Sequence, residues 1–524
     1  MARKVISGGI TGLSMRFMTD LASNGGTAKT PWFGMEPNSY ADYGGQVTTV
    51  TRNPISRSRQ RKKGTVTDFD ASGGFNHDFT LRQLLRPLSA FFFANPFEKP
   101  TTAPLFSDAI PITAVTAATG YAVDNSPDLG FLVNHLVYIE GHSEPSNNGL
   151  KKITAASATL IQTSPAPVDE AAPPAAAKIT VVGYEFASGD VALRDEPAYA
   201  AIDAVDDANV NLASLGLHQG EWCFVGGDAA GNQFAGVVPF YARVSIDQAP
   251  TDDVLRFDKT TSTIVDTDGA AKTIQIFFGT FIRNMLESEI ISAGDVMRHI
   301  MQLERTLGSD GVGFQSQILD DAIANSLTYT QPLSDKVSAD LTFVALDEQF
   351  RSGTDGLLSG ARVSALGEAA FNSSTCVFRT RMAILDPDTL NPSPLFAYVQ
   401  SIELTIENNV TAVKAQGDIG GIDTVEGDFA VGGSATVYFS TVAAVDAIRG
   451  YSDVTYDTIM AQQNTGYVWD VPLLGLGNGR LEVDKDEPIT VPLDIGAAEN
   501  FAGFTASHTN FRYLPDAAMP AVVS

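Results

Sequence analysis

Cysteine is nearly missing from this chain: Cys223 and Cys376 are the only two in 524 residues. Two thiols cannot frame a disulfide scaffold at this size, and neither lies at metal or redox spacing, so both read as buried, inert thiols. No run of about 18 apolar residues is present to cross a bilayer, so no membrane partner is expected. The opening MARKVISGGITGLSMRF lacks the apolar stretch and small-residue cleavage site of a secretory signal, and use without export by a signal peptide is expected. Charge is sparse too, at 18% against 44% hydrophobic residues. That balance is globular and suits a protein that buries much of its surface against neighbours.

Catalytic constellations are equally absent. There is no nucleophile elbow, no paired-histidine zinc motif and no cysteine with a motif-placed histidine. The glycine-rich stretch from Gly475 to Arg480 has no following Lys-Ser or Lys-Thr and no βαβ context, so it reads as a flexible loop and not a phosphate cradle. Asp386 with Asp388, and Asp484 with Asp486, are spaced like fragments of a cation loop but lack its remaining ligands; solvated turns are the simpler reading. His135 and His218 have no second ligand at metal spacing and read as structural. The expectation is no enzyme, no catalytic or cofactor-binding residues, no cofactor and no metal.

Basic residues are scarce overall, 34 against 61 acids for a net charge of −27, yet the scarcity is uneven. Residues 1–63 hold ten Lys or Arg against Asp20, Glu36 and Asp42, a local charge of +7, which leaves −34 on the remaining 461 residues. A basic segment on an acidic body is self-complementary and fits docking on another copy. A nucleic-acid arm is the competing reading; the acidic body and the lack of aromatics within the run from Arg57 to Lys63 weigh against it.

A pattern occurs twice, roughly 355 residues apart. From Val47 to Phe93 an alternating VTTVTRN leads through Pro54-Ile55, a polar stretch and Gly73-Gly74-Phe75 to an apolar segment. From Ile402 to Tyr451 an alternating IELTIENN leads through Val410, a polar stretch and Gly427-Asp428-Phe429 to YFSTVAAVDAI. Aligning Asn53 with Asn408 brings Phe75 within one residue of Phe429. One supersecondary unit used twice and two independent hairpins both fit this pattern.

Elsewhere, short strands separated by Gly and Asn turns describe small antiparallel β modules. Residues 1–46, with Trp32, Phe33, Met35, Tyr40 and Tyr43 among polar neighbours, read as an extended arm ordered by partners. Phe91, Phe92 and Phe93 cannot all face one way and imply burial on both faces or a subunit interface. The best helix candidate is Phe314 to Ser326, where Phe314, Ile318, Ala322 and Ile323 share a face. The chain reads as mainly β.

These residues resemble a family. PWFGMEPNSYADYGGQVTTVTRNPISRSRQRKKG and DASGGF in the first half, with HIMQLERTL, SIELTIENNVTA, GDIGG, GDFAVGGSATVYFS, GYVWDVPLL and EPITVPLDIGA in the second, are similar to the tail tube proteins of long-tailed, siphovirus-like bacteriophages. The resemblance runs in order over most of the chain and is weakest at 111–180. It implies a non-enzymatic virion protein located in the tail, assembled in the host cytoplasm, whose stacked rings form the channel for DNA delivery. The implied fold is duplicated β-sandwich or barrel domains with a flanking helix and small inserted β modules. The boundaries expected are an arm at 1–46, a first tube domain at 47–110 plus 181–285, an inserted module at 111–180 and a second tube domain at 286–524.

The implied partners are other copies of the chain, the tail tip, tape-measure and terminator proteins, and genomic DNA passing through an acid-lined lumen without specific binding. Two tube domains per chain imply a trimeric ring with pseudo-sixfold symmetry; one domain, with the inserted modules replacing the rest of the first sandwich, implies a hexamer. The candidate contacts between rings are Arg3, Lys4, Trp32, Arg57, Arg59, Arg61, Lys62 and Lys63. Two other classes stay open: a capsid-decoration or baseplate component, and a glycan-binding β-protein, to which Trp32, Trp222 and Trp469 give little support.

Overall fold

The computed structural model describes residues 11–18, 29–55, 57, 60, 62–100, 110–123, 130–157, 159–170, 172–205, 210–309, 311–385, 392–396, 398–439 and 442–521. Its centre is a sheet of eight antiparallel strands. In spatial order they are β3 (Pro37–Val50), β4 (Thr65–Asp78), β21 (Ser338–Ala345), the second half of β20 (Phe314–Gln331), β26 (Val399–Glu407), β29 (Ala430–Tyr438), β32 (Thr490–Ala497) and the end of β31 (Thr465–Asn478). Alternation along these strands sends every second side chain to the core. Phe75, Leu341, Leu327, Leu404, Ala435, Leu493 and Leu476 lie on the buried face in one hydrophobic cluster. Each large side chain so buried contributes roughly 1.5–3 kcal/mol.

Six strand pairings occur twice. In the first half β1 (Gly12–Phe17) pairs with β2 (Trp32–Met35) and with β19 (Met301–Ser309), β19 with β20, β20 with β21, β21 with β4, and β4 with β3. In the second half β24 (Val377–Leu385) pairs with β25 (Pro392–Pro394) and with β30 (Val454–Gln462), β30 with β31, β31 with β32, β32 with β29, and β29 with β26. Each β3-like hairpin is followed by a short helix, α1 (Leu85–Phe91) in one half and α3 (Val442–Arg449) in the other, with α2 (Glu287–Ala293) between them in the sequence. The repeated sequence pattern therefore belongs to two copies of one supersecondary unit, but its register differs from the aligned motifs. Phe75 stands opposite Leu341 as Ala435 stands opposite Leu493, six positions beyond Phe429. Cross-strand pairing, not the glycine turn, sets the register.

The two units join edge to edge. Ser326–Gln331 of β20 pair with Ile402–Glu407 of β26, which makes the eight strands one sheet. An aromatic group with rings from both units fills the space behind it: Phe79 lies 4.6 Å from Tyr467, Trp469 lies 5.8 Å from Phe92, and the hydroxyls of Tyr329 and Tyr467 are 3.1 Å apart. Phe91, Phe92 and Phe93 are all buried, on different sides of their turn.

Between α1 and β18 (Thr280–Arg283) the chain makes a separate thirteen-stranded sheet, β5 to β17, running from Ile110 to Phe277 around its own core. Residues 181–277, expected in the first tube domain, pair within this sheet; residues 301–351, expected in the second, pair with the first unit. The segment 1–46, expected as an extended arm ordered by partners, is instead ordered within its own chain over its described parts. Its described parts are strands: β1 lies against β19, β2 against β1 and the short β23 (Arg362–Val363), and β3 against β4.

Phe314 to Ser326 is strand, not helix. β20 leaves the outer sheet, where it pairs with β19 and β22 (Asp347–Arg351), and enters the central one; a register shift at Ala324/Ser326 and a positive φ of 49° at Asp321 mark the bend. Its buried face changes along the way, and the resulting apolar spacing imitates a helical period.

Candidate functional site: the open sheet face and its two edges

Among the described residues the side chains of the second face of the central sheet are mostly exposed or half-buried. They are short and polar: Asn76, Ser338, Thr342, Ser326, Thr328, Thr330, Thr405 and Ser434 alternate with the buried positions. Seven carboxylates stand among them, Asp68, Asp70, Asp78, Asp340, Glu403, Glu407 and Asp494. None of the eight strand segments contains a lysine or an arginine. Cross-strand hydrogen bonds order this surface: Asn76 donates to Asp340 at 2.9 Å, Ser326 to Glu407 at 2.7 Å, and Thr328 meets Thr405 at 3.2 Å. Lys336 pairs with Asp78 at 2.8 Å and Lys414 with Asp68 at 2.6 Å, so these two cations at the rim are neutralised. Such a wall repels phosphates over about 8 Å at physiological salt.

Both side edges of the sheet lack a partner strand among the described residues. β3 pairs only with β4. At the other side, residues 475–478 of β31 pair with β32 alone. Unpaired edges of this kind are templates for another chain.

The lower ends of β3 and β4 run past β21, whose last pairing is Ala345 with Ala71, so the hairpin projects from the sheet. It carries exposed Val47, Val50, Ile55 and Val66 and leads to the basic tip. Of the expected ring contacts, Arg57, Lys62 and Lys63 are exposed on that tip. Arg3, Lys4, Arg59 and Arg61 lie outside the described residues, as do Asp386 and Asp388. Trp32 is a correction: it is fully buried in its own chain, its indole donating to the Ser359 carbonyl at 3.2 Å beneath the Arg16 guanidinium 4.2 Å above its ring. β1 and β23 flank β2 and seal the tryptophan inside, so it faces no neighbour. At the opposite end of the sheet the β31–β32 loop carries Glu482, Asp484, Asp486 and Glu487 with exposed Leu481 and Val483. Sequence reading noted the basic tip but missed the missing cations of the central strands; that signal is present in their residue types, and only strand order reveals that they share a face.

A buried charge cluster docks the inserted sheet on the second unit. Arg243 bonds Asp258 at 2.7 Å and Asp470 at 2.9 Å, Lys259 bonds Asp470 at 2.8 Å, and Arg379 meets Asp457 at 2.7 Å. Burial alone would raise the Asp457 carboxyl; Arg379, Lys259 and Arg381 hold it well below the usual range. Burial, with Arg243 nearby, draws the Lys259 ammonium down to about 8 against the pull of Asp470 and Asp457. Cys223 and Cys376 are both buried, and burial pushes the Cys223 thiol up. His135 accepts from the Leu132 amide and His218 packs 4.2 Å from Phe97. Among the described residues no group of three His, Cys, Asp or Glu side chains is placed to hold a metal.

No curated protein matches the chain. The family model of the phage tail tube proteins matches residues 11–497, both units and the inserted sheet included. A β-rich, twice-repeated unit with open strand edges and a polar sheet face is consistent with that match, and the chain belongs to the phage tail tube protein family as a structural component of the virion tail.

Proposed function

We propose that three copies of this chain close into a ring with pseudo-sixfold symmetry and that rings stack head to tail into the tube that conducts DNA from a long-tailed phage into its host. The observation that carries this reading is the junction of β20 with β26. It joins two equivalent units edge to edge and leaves the corresponding edges, on β3 and β31, open at the two sides of the chain. A heterologous contact of that kind closes into a ring when its rotation divides a full turn. Two units per chain favour three chains over six. The first unit is assigned to 11–97 with 280–363, the inserted sheet to 110–277 and the second unit to 377–511.

In such a ring the cation-free face lines the lumen, where carboxylates and hydroxyls let DNA slide without adhering. The basic hairpin tip at one end of the sheet meets the acidic β31–β32 loop of the next ring at the other, which supports Arg57, Lys62 and Lys63 as ring-to-ring contacts. Assembly in the host cytoplasm with tail tip, tape-measure and terminator proteins follows from the same reading. Negative-stain images of assembled tubes test it. End-on averages with threefold symmetry and six inner lobes are expected; true sixfold averages, or a chain that never assembles, overturn it.

A further inference from the structure

The duplication makes a prediction about the surface between copies that neither unit makes alone. Equivalent positions follow from shared pairings. Ser338 faces Asp78 as Thr490 faces Tyr438, and the amide of Phe79 bonds the Val337 carbonyl at 2.8 Å as that of Phe439 bonds the Ile489 carbonyl at 3.0 Å. By the same ladder Ser326, opposite Thr342, corresponds to Gly477, opposite Asp494. Glu407, opposite Ala430, corresponds to Gln46, opposite Asp70.

Inside the chain Ser326 pairs with Glu407, and just beyond this pair the second unit covers the first. Asn408 donates its side-chain amide to the carbonyls of Phe91 at 3.0 Å and Ala324 at 3.1 Å, and Val410 packs with Phe93 and Ile323. Phe93 follows α1 with a φ of 47°; its counterpart Tyr451 follows α3 with a φ of 52° and lies over Gly475. Their surroundings differ in one respect. Phe93 is 5% exposed under Val410, whereas Tyr451 is 75% exposed with no cover.

We infer that the seam between neighbouring copies repeats this internal junction: Gly475–Gly477 of one copy pair antiparallel with Gln46–Thr48 of the next, and that second strand closes over Tyr451. The inference rests on the ring reading above and adds its register. The exposed Val47 then loses its solvent contact, and the outer edge of β3 gains a partner over these residues. Of the six internal pairs only Ser326 with Glu407 has its counterpart in this seam, because Asn478 and Gly479 take left-handed φ values of 65° and 71° and end β31 there.

Cysteines at paired positions report the register, since both native thiols are buried. Assembled Q46C/G477C protein is oxidised and run without reductant, beside each single variant and T65C/G477C. Covalent trimers from the paired variant alone are expected. Rings in the micrographs without cross-links above the T65C control overturn the register while leaving the ring reading intact; no rings from the unmodified chain overturn both. Tyr451→Asp is the second variant. Its side chain is exposed in the single copy, so an unchanged melting temperature with loss of rings is expected, and rings that persist overturn the seam.

Discussion

Arg243 of the inserted sheet and Asp470 of β31 meet at 2.9 Å, both fully buried, across 227 positions of sequence. Asp470 also accepts from Lys259 at 2.8 Å, so one carboxylate of the second unit answers two cations of the insertion. The surrounding apolar contact joins Trp222, Phe224 and Tyr241 of the insertion to Ile459, Val468 and Phe511 of the second unit. This surface fixes the insertion to the second unit, while Arg82 of the first unit reaches its Glu140 at 3.1 Å.

Asp470→Asn keeps the volume and removes the charge, leaving two buried cations short of a partner. A loss of about 3–5 kcal/mol is expected, measured by urea unfolding. A variant with wild-type stability sinks the idea that this cluster holds the insertion in place.

Acid should weaken the fold through its buried histidines. Burial lowers His508 to about 3 and His299 and His135 to about 4. Their folded values lie below the ordinary 6.5, so the unfolded chain takes up each proton first. Their contribution is complete above about pH 6.5 and declines as pH falls through 4, by about 1.4 kcal/mol per pH unit for each histidine. Urea midpoints from pH 7 to pH 4 check the slope, and His508→Gln should make it shallower by one proton.

Reversing charge on the open face should change what the tube does with DNA and not how it folds. Glu403→Lys with Asp494→Lys places cations where the strands have none, at exposed positions. Tubes are expected to form and to bind short DNA duplexes in a salt-dependent way, read by fluorescence anisotropy, while unmodified tubes bind none. Equal binding by both would exclude this face from the lumen.

Arg57→Glu with Lys62→Glu and Lys63→Glu should leave the melting temperature within about 1 °C, because exposed substitutions usually change stability by less than about 0.5 kcal/mol. Sedimentation should show rings in place of tubes. Normal tubes from this variant would remove the tip from the ring-to-ring contact.

Much of this protein is legible in its residues. The alternation from Ile402 to Glu407 states outright that one face is buried and the other is polar, because successive strand side chains point opposite ways. The excess of acids over bases, the basic run ending at Lys63 and the ordered motifs of a tail tube protein are properties of the chain as written. Tertiary structure decided what depends on partners far away in sequence. Phe314 to Ser326 became a strand because β20 serves two sheets in turn, and its burial follows β19, β22 and β21 instead of a single period. Trp32 went inside because β1 and β23 close over β2. The repeat moved six positions from its motif alignment, and the insertion grew to 110–277, because hydrogen-bonded register is a relation between strands that neither strand carries by itself.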